Sequence, residues 1–339
     1  MQTKLLLQTV RSVITGNIQL AIEGDEPWAN ELVFLFYKHF LGMRFCRLFS
    51  DFGYLTRLPE ATAALMTQEA WRSLQRNQKT RGDLLQLSSV FEKEGIAFAV
   101  LKGWSLAQRL YAQPEERYYQ DCDLLFKRED RSRVCDLLAS NHFQMKAPYG
   151  NFRENRHKEE FESLADPSLL LECHFGLAPP NFLAVDPWLT IQQQDFCTPE
   201  LTTPLTLLHL DPYTEYLYLV YHGAVQHRFQ RLGWLMDLAR FHQLDLVDPN
   251  QLRVRAAGTQ LALAVERTLS LLQFSGVPIQ KVKPLSIKGQ RMYIKIIKMK
   301  IEDSLRSRLA ARSYFHPGGL RAALGYAHQH LIARLRAGD

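Results

Sequence analysis

The sequence predicts an α+β protein, a small mixed sheet flanked by an N-terminal helical region and a C-terminal helical region. Three observations carry this. Ile96–Leu101 is an apolar run, IAFAVL, uninterrupted by charge until Lys102. Tyr118–Phe126 is a second strand-like stretch, with Asp121 and Asp123 set in largely apolar and aromatic company. On either side, apolar residues recur at helical spacing over long segments. The expected organisation is a helical region over 1–95, a core over 96–200 and a helical region with a basic tail over 201–339.

Glu31–Leu48 places Leu32, Phe34, Leu35, Phe36, Phe40 and Leu41 densely enough for a buried helix. Pro59 opens a long helical pattern with Leu65, Trp71, Leu74, Leu84, Leu85, Leu87 and Phe91 as its apolar members. Gly82 is placed to interrupt it and Gly95 to stop it. The core then reads strand (96–101), Gly-Trp-Ser turn, helix (104–111), strand (118–126), and a helix over Arg131–Ser140 introduced by Glu129 and Asp130. Phe161–Leu164 and Leu169–Phe175 make two further strands around the turn Ala165–Ser168. In the second, Leu170, Glu172 and His174 share one face. Prolines 179, 180, 199 and 204 mark connections. After Asp211-Pro212 the chain is helical: Tyr216–His227 and Leu232–Leu244 as an antiparallel pair, then Gln260–Phe274, Arg291–Leu309 and Leu320–Arg336.

The 339 residues include 46% hydrophobic and 22% charged side chains, ordinary for a globular chain with a sizeable core. No run reaches the length of a membrane span and no signal-peptide pattern opens the chain. Five cysteines without a CxxC spacing argue for reduced thiols in a cytoplasmic protein and against a structural zinc site. The net charge of +6 is uneven, because Lys281–Asp339 holds thirteen Lys or Arg against three acids. Such a tail fits an anionic partner, nucleic acid included, or simply a solvated helical face.

Asp121 and Asp123 alternate onto one face of a strand, an arrangement that costs energy unless a cation offsets it. With the Gly103-x-Ser105 turn before them and Glu172 after them, they suit phosphoryl or nucleotidyl transfer. In that chemistry two Mg²⁺ ions about 3.5–4 Å apart serve the attacking and leaving oxygens. A glycine turn at a helix start lets backbone N–H groups approach phosphates, and Lys102 beside it supplies positive charge. A P-loop, a GxGxxG after a strand, an HExxH and a GxSxG are all missing.

The ordered set Leu101-Lys102-Gly103, Tyr111, Arg117 and Asp121-Cys122-Asp123-Leu124-Leu125 resembles the uncharacterised nucleotidyltransferase family of the DNA-polymerase-β-like superfamily. So do Glu172-Cys173-His174-Phe175, His222-Gly223 and Leu232–Ala239 further on. The resemblance runs from about Leu84 to Leu244. It implies that Gly103 and Ser105 form the nucleotide-phosphate turn. Beside that turn Lys102 reads as a phosphate-binding charge or as a lysine snorkelling from a strand end, and Arg117 as orienting the Asp strand or a phosphate. It makes Asp121, Asp123 and Glu172 the metal ligands and catalytic carboxylates, Glu172 helping to deprotonate the acceptor hydroxyl. Trp104 stands where a small residue is common, and Glu172 where Asp is also used. His174 reads equally as a partner of the acids or as a satisfied core histidine. His222 and Asp237 read as substrate-closing groups or as structural bonds between helices. Trp234 and Cys122 read as core residues.

The expectation is therefore a Mg²⁺-dependent nucleotidyltransferase moving an NMP from an NTP, with ATP favoured, to a hydroxyl of a small molecule, RNA or protein. The alternative is a non-catalytic protein of the same fold that contacts nucleic acid or an acidic partner through its basic C-terminus.

Overall fold

In the computed structural model, residues 3–16, 39, 41–146, 157–166, 169–179, 181–183, 185–196 and 205–298 are described. They form α1 (Thr3–Thr15), α2 (Gly42–Asp51), α3 (Glu60–Lys93), β1 (Phe98–Leu101), α4 (Gly103–Leu110), β2 (Asp121–Phe126), α5 (Arg131–Ser140) and β3 (Phe143–Met145). β4 (Lys158–Ser163), β5 (Leu170–His174), β6 (Ile191–Phe196) and β7 (Leu205–Leu210) complete the strands. Then follow α6 (Pro212–Val220), a π-helical turn (Tyr221–Gln226), α7 (Leu232–Gln243), α8 (Pro249–Ala256), α9 (Ala262–Phe274) and α10 (Ile287–Lys298). The α+β class expected from the sequence is what forms. Two compact units result: Ser73–Tyr218, which holds the whole sheet, and Met1–Arg72 with Leu219–Asp339, whose described elements are helical.

The sheet is mixed, in the order β3-β4-β5-β2-β1-β7-β6. β2 lies between β1, which is antiparallel to it, and β5, which is parallel. A strand flanked on both sides and covered on both faces must be almost wholly apolar. DCDLLF obeys this, and only its acids break the run. Below the sheet a single cluster joins Leu84, Leu87 and Phe91 of α3 to Val134 and Leu138 of α5, and both to the strands through Phe98, Leu124, Phe126, Phe161 and Phe175. Phe126 is its hub, with ring centroids 4.9 Å from Phe91 and 5.9 Å from Phe98.

Several elements depart from the sequence reading. β3, β6 and β7 were not expected, and β7 is a strand inside residues read as helical. It pairs in parallel with β1, so the sheet extends past residue 200. Gly82 does not interrupt α3, which runs on for 34 residues. A solvent-facing glycine costs a helix only about 1 kcal/mol, which its neighbours easily absorb. Leu65 and Trp71 are exposed, at 48% and 58%. Leu84, Leu87 and Phe91 are buried as expected, and the stripe they end runs back through Thr80, Asn77, Ser73, Ala70 and Met66. That spacing alternates three and four residues, and its middle is polar, so a search for apolar periodicity follows the wrong face there. Gly95 does end α3, with a left-handed φ of 64° and the Ile96 amide donating back to Phe91 O. Much of the helix expected over 31–48 and all of 320–336 lie outside the described residues, as does the end of 291–309.

The helical unit is tied by its own contacts. Arg11 Nε donates to Phe274 O, Gln243 Nε2 to Ile14 O, and the Leu232 amide to Nδ1 of the fully buried His39. Cys46, Cys122, Cys135 and Cys173 are free thiols, and Cys197 lies outside the described residues. Among the described residues no helix is long and apolar enough to cross a membrane.

Candidate active site

Register assembles the site. Asp123 is the Cα partner of Leu101 on β1 and of Glu172 on β5, and Leu125 is the partner of His174. Paired residues of a parallel ladder point the same way, so Asp121, Asp123, Glu172 and His174 share the face opposite the Phe126 cluster. β4 extends this face, since Glu160 pairs with Glu172 and Lys158 with His174. Cys122 points the other way into the apolar cluster, as the alternation requires.

Lys102 sits at the junction of β1 and α4 with φ 46° and ψ −139°. A non-glycine residue there is strained by about 1–3 kcal/mol. Its ammonium is buried and lies 2.6 Å from Asp123 Oδ1 and 3.9 Å from Glu172 Oε2. Beneath it is the ring of Tyr218 from α6, 5.9 Å away. His174 Nε2 lies 2.9 Å from the same Asp123 oxygen and 3.4 Å from Glu172 Oε2. Lys158 Nζ donates to Glu172 Oε1 at 2.8 Å and to Glu160 at 3.0 Å. Asp123, Glu172 and His174 each offer a ligand atom, all within 4.8 Å of one another.

The charges are unequally matched. Burial tends to raise the Glu172 carboxyl, but Lys102, His174 and Lys158 outweigh it and hold it well below the ordinary value. Burial would lower Lys102, yet Asp123, Tyr218 and Glu172 hold the ammonium well above the usual lysine range. His174 follows the same logic: burial pulls it down and its bonds to Asp123 and Glu172 raise it. Asp121 makes no ion pair among the described residues. Its burial, with Asp123 and Glu172 nearby, pushes it up to about 6 against the opposing Lys102.

The Gly103 turn opens α4 against the start of β2. Gly103 has φ 21°, and a Cβ there would meet Tyr119 Cβ at 3.3 Å, so the close approach is to the segment that leads into β2. Trp104 packs into the apolar cluster on the far face. Ser105 is buried, and Arg109 donates to its hydroxyl at 3.4 Å while pairing with the buried Glu215 at 2.7 Å. Arg117 lies in the loop before β2 and donates to Tyr118 O. That loop is pinned by α3, where Asn77 Nδ2 donates to the carbonyls of Pro114 and Arg117 and Arg76 donates to Gln120 O at 2.6 Å.

Lys158, Glu160 and Tyr218 escaped the sequence reading. Lys158-Glu159-Glu160-Phe161-Glu162-Ser163 holds a single apolar residue, Phe161, so no alternation marks the start of β4, and its register with β5 is what puts Lys158 and Glu160 on the acid face. Tyr218 is one of many aromatics on its helix and had no signal. His222 and Asp237 lie in the helical unit. His222 packs its ring against His227 (4.6 Å) and Trp234 (5.2 Å), with Trp234 only half-buried rather than in the core, and Asp237 is fully buried.

A family described as uncharacterised nucleotidyltransferase matches residues 29–274. The match takes in every described strand and ends with α9, leaving the basic C-terminal region outside it. No curated protein matches the chain.

Proposed function

The chain belongs to this nucleotidyltransferase family, and from that premise we propose a Mg²⁺-dependent transferase that moves an NMP from an NTP, with ATP favoured, to an acceptor hydroxyl. We place it in the DNA-polymerase-β-like superfamily. One observation carries the reading: Asp123 and Glu172 are register partners on parallel strands, with Asp121 two residues away on the same face. The donor set fits a hard cation, which prefers a few carboxylates and completes its shell with water and phosphate oxygens. Asp123, Glu172 and His174 offer ligand atoms within 4.8 Å of one another, and Asp121, which makes no ion pair among the described residues, stands two residues from Asp123 on the same face. When bound, Mg²⁺ would neutralise the carboxylates and stabilise charge on the phosphates.

In this reading Asp121 and Asp123 hold the metal, with Glu172 as the third carboxylate of the set. The Lys102-Gly103-x-Ser105 turn and Arg117 line the phosphate side. The acceptor oxygen forms a bond to the α-phosphorus, the bond from that phosphorus to the β-phosphate oxygen breaks, and pyrophosphate leaves. The acceptor proton passes to the carboxylate cluster. Lys102, His174 and Lys158 hold Glu172 well below its ordinary value, which favours its anionic form and weakens it as a base. Its firm ion pairs suit it to hold Lys158 and His174 in place as well. The basic C-terminal region, outside the matched residues, would meet an anionic acceptor.

The test uses purified protein, each labelled NTP in turn, and a cell extract as the source of acceptor. Wild type transfers label, and the D121N/D123N double variant transfers none. Equal labelling by the two proteins would sink the assignment.

A further inference from the structure

Two divalent ions are the expectation for this chemistry, yet the chain places a cation of its own among the carboxylates. Lys102 Nζ reaches Asp123 Oδ1 at 2.6 Å and Glu172 Oε2 at 3.9 Å from a side chain only 8% exposed. His174 Nε2 is 2.9 Å from that same Asp123 oxygen. A carboxylate oxygen has two lone pairs, so these two neighbours use up Asp123 Oδ1. Lys158 takes Glu172 Oε1 at 2.8 Å. What remains open to a metal is Asp121, the second oxygen of Asp123 and Glu172 Oε2, which has His174 Nε2 at 3.4 Å and Lys102 Nζ at 3.9 Å.

An ion bridging Asp123 Oδ1 and Glu172 Oε2, the two oxygens the ammonium stands beside, would have to displace it. Mg²⁺ binds carboxylate oxygens at about 2.0–2.1 Å, so an ion on Oδ1 would stand within about 4.7 Å of Nζ and compete for the same lone pairs. The backbone points the same way. Lys102 occupies a conformation suited to glycine, and the residue after it is glycine. A turn that needed only tightness would carry glycine at 102, where a lysine has value only through its side chain.

We propose that the site takes one divalent cation, held by Asp121 and Asp123, and that the Lys102 ammonium fills the second cation's place beside Asp123 and Glu172. This rests on the nucleotidyltransferase reading and deepens it, making Lys102 part of the charge clamp as well as a neighbour of the phosphates.

The test counts Mn²⁺ by electron paramagnetic resonance on the full chain with an ATP analogue carrying a methylene between the α- and β-phosphorus. Wild type and K102R retain one Mn²⁺ per ternary complex without Mn–Mn coupling, and K102M retains two that couple. Two coupled ions in wild type overturn the inference and leave the transferase reading standing. A count of one in folded K102M also overturns it. Failure of both wild type and D121N/D123N to retain Mn²⁺ overturns the two readings together. The wild-type count decides the matter even where K102M does not fold.

Discussion

Asp121 is pushed up to about 6 because it is buried beside Asp123 and Glu172, with Lys102 acting against the shift. A carboxyl whose folded value lies above its unfolded one binds protons more tightly in the native state, so it penalises folding above pH 6 and the penalty fades as pH falls toward 4. His174, raised in the folded state, adds stability that is present below its ordinary value and lost as pH rises through the folded one. Glu172 works in the opposite sense, and its contribution is lost only when pH drops below the ordinary carboxylate range. His242, which burial holds down to about 4, costs stability as pH falls through the ordinary histidine value, so the Asp121 effect is read between proteins: from pH 8 to pH 5.5 the metal-free wild type should gain stability relative to D121N. At pH 8 D121N should be the more stable by on the order of 1–2 kcal/mol; a lower melting temperature for D121N at pH 8 would contradict this. Mg²⁺ protection against thermal unfolding should weaken below about pH 6, as Asp121 takes up a proton in competition with the metal. At Lys102, K102M leaves buried carboxylates without their cation and should cost about 3–5 kcal/mol in denaturant unfolding. K102R should cost less.

The second half of α3 is a support for the strand that carries Asp121 and Asp123 as well as a wall of the core. Asn77 occupies a position of the buried stripe that an apolar residue would fill in an ordinary amphipathic helix. Its side-chain amide instead satisfies two carbonyls of the 114–117 loop, and the Tyr119 hydroxyl donates to the Asn77 backbone carbonyl at 3.3 Å. Asn77→Leu keeps the volume and strips both loop carbonyls of their donor, for a loss of about 1–3 kcal/mol. Equilibrium unfolding in urea checks this, and a stabilised N77L would show that the loop is held by other means. Since that loop leads directly into Asp121, N77L should also weaken Mg²⁺ protection while leaving the carboxylates intact.

Across the whole molecule, the basic C-terminal region and the matched residues can be separated experimentally. Tyr293 is buried and its hydroxyl accepts from Ser275 at 3.3 Å, so α10 belongs to the helical unit's core and a cut before it would expose that core. A chain ending at Lys298 avoids this and removes seven Lys or Arg with three acids. It should keep nucleotide-dependent Mn²⁺ binding and lose affinity for a polyanion such as single-stranded RNA, with a shallower dependence on salt. Unchanged RNA affinity and salt slope would show that the tail is a solvated face.

Sequence alone determined the elements whose signal is local. The apolar runs of β1, β2 and β5, the acids that interrupt them, the Gly95 stop of α3 and the bounds of α5 follow from side-chain period and from the backbone freedom of glycine. Local pattern also put Asp121 with Asp123, and Glu172 with His174, on shared strand faces. Only the tertiary structure decided that these faces are one face, because pairing register joins residues 49 apart in the chain and has no local signature. It also decided where charge is needed. Lys102, Lys158 and Tyr218 converge on Asp123 and Glu172 from three different elements, and the polar centre of α3 makes sense only against the loop it holds. A buried carboxylate requires a nearby cation, but which lysine supplies it depends on distances set by the whole sheet.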